Sequence, residues 1–520
     1  MLTQEKKPAT HNASIPLERR SGFEKPKQAA SLTSKPAASR TLMSEEYVSK
    51  AMPPILGTLD MTSTYLMIIF FITNATTAAA GGAAAFTYWL IAGATFFIPC
   101  VIATAQLGVM FPYEGSLYNW THKAFGGYWS FFAAFCAWFP GVLVIISAGD
   151  VIVAYLQGLN SNWLVEPWQQ GAVIILLAIL SGTLAMQRYR MVQNIVNVVI
   201  GLTFLAVVLL GLAGVIWLMK GHHSAASFSL PTDWNINWDK NTGNLYLFGT
   251  ITLAYLGTEV PLNMGGEIIK RKVITRHLLW GTLLVFLGYF IATFAVLVVQ
   301  GPANGATPFA LVSTVDMALG KLLGNISAIC IMSFFVLAMV VYNYTYARLL
   351  LVAGIDQRLP VKIGKLNKHR VPSNAIVFQT IVASCITALV FFVAPYTTHL
   401  TSPVNLSTEV YDVLLAASTL VWAFSACFLF VNLAKFAFSD RRTFLKHLIF
   451  PQPILWISIA LGSVSCFLAI VSTLFYSWTT LISNSQWLYI IGGLTFICLV
   501  IAAIGSMLAN SEATWESSKV

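Results

Sequence analysis

Along this chain the hydrophobic positions do not alternate with polar ones. They gather in long, nearly unbroken runs separated by short polar stretches. A hydrocarbon core about 30 Å thick takes about 20 mostly apolar residues as a helix, whereas a barrel strand would show a period of two. Backbone polar groups must be satisfied internally in lipid, so runs of this length predict helices. Twelve such runs lie near 57–79, 84–110, 128–157, 170–186, 193–219, 244–265, 277–299, 322–354, 374–394, 411–435, 453–477 and 486–508, hereafter spans 1–12. The predicted fold is an all-α integral membrane protein filling residues 51–510. The small-residue run 78–85 is read as a turn between spans 1 and 2. Residues 1–50 are rich in Ala, Ser, Pro, Lys and Glu and are predicted to be a disordered tail, without the apolar middle of a signal peptide. Residues 511–520 read as a short polar C-terminal tail.

Composition agrees: 57% of residues are hydrophobic, 10% are charged, and the mean hydropathy is +0.73. A soluble domain carries about 25% charged residues, so most of this surface faces a lipid bilayer. The net charge of +10 is explained by topology and not by nucleic acid. With the N-terminus inside, 27 of the 30 Lys and Arg residues fall on the cytoplasmic side, and only Lys220, Lys240 and Lys321 lie outside. This is the positive-inside pattern of a plasma-membrane protein with both termini cytoplasmic. The seven cysteines all sit in apolar stretches with no CxxC spacing, and the one histidine pair, His222-His223, lies in an outer loop. No disulfide framework, metal site or cofactor is expected.

Intramembrane ionisable residues are costly and therefore informative. Two acids lie well inside spans: Asp150 in span 3 and Glu259 in span 6. Glu259 follows Gly257 and precedes Pro261, a pair that weakens a helix near mid-membrane. Freed backbone groups at such a depth must line an enclosed cavity, as broken transporter helices do. Glu259 is read as a proton acceptor or polar organiser beside that cavity, against the blander reading of a neutral structural carboxyl. Asp150 is equally a proton carrier or a residue of the outer vestibule. Glu267, at the inner end of span 6, is expected to matter much less. In span 1, Thr62-Ser63-Thr64 and Thr73-Asn74-Ala75-Thr76-Thr77 supply groups that can bond an unwound backbone, though such residues also serve ordinary helix packing.

Three segments resemble the amino acid–polyamine–organocation superfamily of secondary transporters. Leu253-Ala254-Tyr255-Leu256-Gly257-Thr258-Glu259 is similar to the family's broken sixth helix. The stretch from Ala347 to Pro360, then Val371-Pro372-Ser373, is similar to the end of helix 8 and the start of helix 9. Phe97-Ile98-Pro99 through Glu114-Gly115-Ser116, then Phe125-Gly126, resembles the end of helix 2 and its following loop. The resemblance implies a LeuT-type fold, with inverted repeats over 57–219 and 244–435 and two added helices over 453–508. It implies a substrate held at the breaks of spans 1 and 6, lined by Met67, Ile68, Ile69, Phe70, Ala254, Tyr255, Leu256 and Gly257, with Tyr255 as a gating aromatic and Tyr342 as a second lid. Met67 to Phe70 carry none of the glycines usual at that break, as in glutamate/GABA-antiporter-like members. Span 5 lacks the lysine some proton-coupled members use, leaving Glu259 or Asp150 for proton coupling.

The function expected is transport of an amino acid or related amine by alternating access, proton-coupled or by exchange. No basic residue lies deep in a span, so the expected substrate is neutral or zwitterionic. The alternatives are a transport-dead sensor or a channel of the same fold. A membrane enzyme would need clustered catalytic groups, and none is found.

Overall fold

The structure is a computed structural model that describes residues 42–237, 243–397, 403–478 and 482–518. Ten helices among these residues are long and apolar enough to cross a membrane: Ala84–Met110, Gly127–Leu159, Pro167–Ala185, Tyr189–Met219, Lys272–Val299, Lys321–Ile355, Ser373–Val393, Val413–Ser439, Gln452–Phe475 and Asn484–Ser511. They correspond to spans 2–5 and 7–12. The two other predicted runs are the interrupted ones. Span 1 consists of helices Thr58–Ile69 and Asn74–Ala79, and span 6 of helix Tyr246–Leu253 followed by 3-10 turns Val260–Asn263 and Gly265–Glu267. The only extended pairings among the described residues are single bridges, Leu56 with Ile268 and Glu114 with Met264.

Burial grades the helices. In span 3, 78% of the most apolar window is buried against other helices, and in span 12 only 17%. Spans 3, 8 and 10 therefore form the interior, while span 12 presents Phe496, Ile504 and Leu508 outward, the surface lipid would cover. Span 7 packs on span 1 through two glycines a heptad apart. A Cβ on Gly281 would overlap the Tyr65 ring, and one on Gly288 the Phe70 ring. Small residues allow this close helix approach in membranes. Gly288→Ala is expected to displace Phe70 and cost about 1–3 kcal/mol of stability, read as a lower melting temperature of the purified protein. An unchanged melting curve would show that span 1 has room to yield.

Contacts collect the loops at two ends. At one end the segments after spans 2, 4, 6, 8 and 10 meet. Lys123 pairs with Glu45 at 2.7 Å, Asn367 donates to the Met186 carbonyl, Ile55 and Leu56 donate to the Glu267 carbonyl, and Gln106 donates to the His447 carbonyl. This end carries Lys270, Arg271 and Lys272 and is called the basic end below. At the opposite end Lys220 donates to the Ala318 carbonyl, and Thr87 to that of Trp234.

One expectation is corrected. Residues 1–41 lie outside the described residues, but the last part of the predicted disordered tail is a helix, Met43–Ala51. Ser44, Val48 and Met52 fall on one helical face at i, i+4 and i+8. Val48 and Met52 pack on Leu351, and the Ser44 amide and hydroxyl both reach the Asp356 carboxylate at 3.0 Å. Composition averaged over fifty residues hides so short a pattern. At the other terminus, helix Asn484–Ser518 runs through most of the predicted C-terminal tail.

Candidate substrate cavity between the interrupted helices

Helix Tyr246–Leu253 ends because the next residues cannot continue it. The Tyr255 and Leu256 amides bond three residues back, to Thr252 and Leu253, and Gly257 takes a φ of +104°, open to glycine at little cost. Space demands glycine here as well: a Cβ would lie 2.9 Å from Ile68 and from the Trp422 ring. Pro261 then opens the first 3-10 turn.

In span 1 the helix stops at Phe70, with φ −85° and ψ 62°, and resumes at Asn74. The break thus covers residues 70–73, just beyond the expected 67–70. No glycine is needed, because no residue of the break takes a positive φ, and side chains from other spans bond freed carbonyls. Tyr342 donates to the Ile68 carbonyl at 2.9 Å and Tyr289 to that of Ile69 at 2.7 Å, while Asn74 reaches Tyr289 at 3.2 Å. Of the local hydroxyls, Thr76 donates to the Thr73 carbonyl at 2.7 Å, while the Ile68 and Ile69 carbonyls are met by two tyrosines from spans 7 and 8, to which nothing in the sequence around span 1 points.

Between the breaks lies a cavity of about 40 Å³, room for roughly three waters. An amino acid therefore enters only when side chains move. Of the expected residues, Ile68, Ile69, Ala254, Leu256 and Tyr342 line it. Met67, Phe70, Tyr255 and Gly257 are buried beside it but do not form its wall. Phe70 packs on Tyr289 and Phe204, and Tyr255 stacks flat on Phe97 at 4.3 Å. In this conformation, then, Tyr255 is packing and Tyr342 is the tyrosine on the wall.

The wall also holds residues the sequence reading missed: Phe71, Asn74, Val144, Thr250, Leu253, Leu415, Thr419, Trp422 and Trp478. The lining is mostly apolar, and none of these side chains is charged. Thr250 and Thr419 spend their hydroxyls on carbonyls of their own helices, while the buried Trp478 indole N–H has no partner among the described residues. Trp422 sits in an apolar run where its type carries no signal, yet it connects the cavity to the candidate acid: its indole donates to Glu259 Oε1 at 3.2 Å. Glu259 is 3% exposed, and the neighbouring Thr258 hydroxyl bonds that of Thr104 at 2.9 Å. Asp150 is also buried. It lies six residues past Val144 on span 3, about 9 Å further along that helix, and is not on the wall.

Toward the basic end from the cavity lies a polar network. Arg348 on span 8 is paired with Glu267 and donates to the Tyr344 carbonyl at 2.8 Å, and its guanidinium lies over the Tyr189 ring at 4.8 Å. The Tyr189 and Tyr344 hydroxyls both donate to Gln193 Oε1 at 3.0 Å. Gln193 in turn donates to the Asp60 carbonyl, and the Asp60 carboxylate accepts from Asn197 and Arg190, both at 2.9 Å. Spans 1, 5, 6 and 8 are tied together there. Glu267, expected to matter much less than Glu259 for transport, is 3% exposed and holds the counter-charge of a fully buried arginine. The sequence near Glu267 does not show this, because its partner lies 81 residues away.

Sequence comparisons place this geometry among known proteins. An uncharacterized transporter of Legionella pneumophila is 21% identical over 308 residues, covering 57% of this chain and 64% of its own length. The branched-chain amino acid permease BcaP of Lactococcus lactis is 25% identical over 324 residues, covering 58% and 67%. The gamma-aminobutyric acid permease of Bacillus subtilis is 22% identical over 286 residues, covering 53% and 59%. The matched regions thus span about three-fifths to two-thirds of these relatives. The amino acid permease profile extends much further, over residues 56–499 and both interrupted helices. With ten membrane-length helices around two broken ones, the chain is a multi-pass membrane protein that belongs to the amino acid permease family.

Proposed function

We propose that this protein is a secondary active transporter carrying a neutral or zwitterionic amino acid across the plasma membrane by alternating access, driven by protons or by exchange. Twelve crossings are part of this reading, with the two interrupted segments completing the ten continuous helices, the basic end cytoplasmic, and the LeuT-type inverted repeats over 57–219 and 244–435. The observation that carries it is the uncharged cavity held between two facing helix breaks. Helix Tyr246–Leu253 reaches the cavity at its C-terminal end through Thr250, Leu253 and Ala254, where the negative end of its dipole suits a substrate ammonium. Among the described residues the wall carries no fixed cation or anion to select an acidic or dibasic side chain. The names of two relatives put branched-chain amino acids and gamma-aminobutyrate first in the panel to be tried.

Of the two candidate proton carriers, Glu259 is favoured over Asp150 because Trp422 ties it to the wall. Any ligand that moves the indole then perturbs the carboxyl. The test is radiolabelled uptake and counterflow in proteoliposomes across an amino acid panel, with and without a pH gradient. Saturable uptake or exchange of at least one neutral amino acid is expected. Failure across the whole panel, with the same preparation binding amino acids, would favour a sensor. Cysteines placed at Lys272 and Lys321 should label from opposite sides, and labelling from one side would refute the proposed topology.

A further inference from the structure

The loop after span 2 carries an acid that the transport reading does not use. Glu114 forms a single antiparallel bridge with Met264, and the next residue, Gly115, donates to the Asn263 carbonyl at 3.0 Å. Ser116 adds a 2.7 Å bond to the Asn263 side chain. The Glu114 side chain lies along Gly266, where an added Cβ would be 3.4 Å from its Cγ and 3.5 Å from Oε1. The residue is 4% exposed, and neither carboxyl oxygen has a hydrogen-bond partner among the described residues. Its charged neighbours are Glu267 and Arg348. Two carboxyls therefore face one guanidinium.

The other titratable groups nearby do not supply a second cation. On the helix Ser116–Phe125, Lys123 is closed on Glu45, and burial beside Arg358 and Lys123 lowers His122 to about 4, so it is neutral. Tyr118 on the same helix, Tyr344 on span 8 and Tyr189 on span 5 are uncharged phenols. Arg190 is held by Asp60 at 2.9 Å. A buried carboxylate with neither a cation of its own nor a donor is too costly to persist. A neutral carboxyl removes the charge and gains an O–H to donate to the neighbouring acid, the arrangement of two carboxyls sharing one proton.

We propose that Glu114 and Glu267 together bind one exchangeable proton at the basic end, and that this proton is required to keep that end of the pathway closed. The proposal rests on the alternating-access reading for its consequence, but not for the site itself. Glu267 directly follows the break of span 6, Arg348 belongs to span 8, and Glu114 belongs to the loop after span 2. Opening that end must separate them. Once in water, the Glu114 O–H breaks and its proton passes to solvent on the same side; on closure a proton from that side returns to the carboxylate oxygen. The site thus responds to pH at the basic end without carrying protons across, unlike the role proposed for Glu259.

The sign follows from the geometry. Burial first, then the adjacent Glu267 carboxylate, hold the Glu114 carboxyl well above the usual carboxylate range in the closed form. Its contribution to closure is complete below the ordinary carboxylate range and is lost as pH rises through the elevated value. One proton taken up per closure shifts the closed-to-open ratio roughly tenfold per pH unit between those limits.

Glu114→Gln, which keeps a donor for Glu267 and cannot ionise, tests this. Infrared spectra of the purified protein without substrate should show a protonated-carboxyl band that disappears on alkaline titration. That band should be missing from Glu114→Gln and kept in Glu259→Gln. In vesicles, alkaline pH at the basic end should increase labelling of a cysteine at Asn263 in the parent, and in Glu114→Gln the labelling should not vary with pH. An unchanged infrared band together with parent-like pH dependence of labelling in Glu114→Gln would overturn the proposal. If Glu114→Gln does not fold, Glu267→Gln serves: it frees Glu114 to ionise against Arg348, so the band must again vanish, and its persistence would overturn the proposal. If the infrared result holds while no amino acid is transported, the function reading fails and the site stands.

Discussion

Arg348→Met is expected to be among the most destabilising single changes in this protein. The guanidinium is 1% exposed and bonds Glu267, the Tyr344 carbonyl and the face of Tyr189. Its removal leaves Glu267 buried without a counter-charge and Glu114 beside it. Breaking a buried pair from one side costs about 3–5 kcal/mol, chiefly from the charge left behind. The loss should appear as a lower melting temperature in detergent. A variant that melts like the parent at neutral and alkaline pH would show that the pair is not a principal tie among spans 5, 6 and 8. Methionine fills the space of the arginine stem but not of its guanidinium head, so the deficit reports lost charge together with some lost volume.

The second large effect is functional. Glu259→Gln keeps the shape of the side chain and an oxygen for the Trp422 indole, but it cannot bind or release a proton. Initial transport rates are expected to fall by roughly tenfold or more, equivalent to losing about 1.4 kcal/mol in the limiting step, and the dependence on a pH gradient should vanish. The melting temperature should change little, because the same hydrogen bond can form. Transport that remains as fast and as pH-sensitive as in the parent would remove Glu259 from the proton path and leave Asp150 as the carboxyl to test.

How much of this was legible in the residues differs between fold and site. The helices were legible because hydrocarbon imposes one rule on every crossing, and apolar length answers it directly. The break in span 6 was legible because Gly257 and Pro261 act locally on the backbone. The break in span 1 was harder to place: it contains no glycine, and freed carbonyls there are bonded by Tyr289 and Tyr342 from distant spans. The helix Met43–Ala51 was lost in the average composition of a polar tail, although three residues on one face dock it.

The site divides the same way. Glu259 stood out because acids are scarce in apolar spans, but its partner Trp422 could not, being one of many aromatics in a chain where they make up 13% of residues. Tyr255 was expected on the cavity wall from its place in a motif, and its ring instead stacks on Phe97. In the sequence Glu267 reads only as an acid at the inner end of span 6, and Glu114 only as part of the segment resembling the loop after helix 2. Their weight comes only from burial beside Arg348, a meeting of three segments far apart in the chain.

By itself the sequence determined the solvent, the helices, and the one acid placed at a backbone break, and its basic loops supplied the sidedness proposed above. These follow from properties that act residue by residue or over a single turn or span. Only the tertiary structure decided which side chains face the cavity, which tyrosines replace the missing backbone bonds, and which acids are left facing a single arginine. Those depend on the separation and burial of groups on different helices, and apolar pattern along one helix does not encode its rotation against its neighbours.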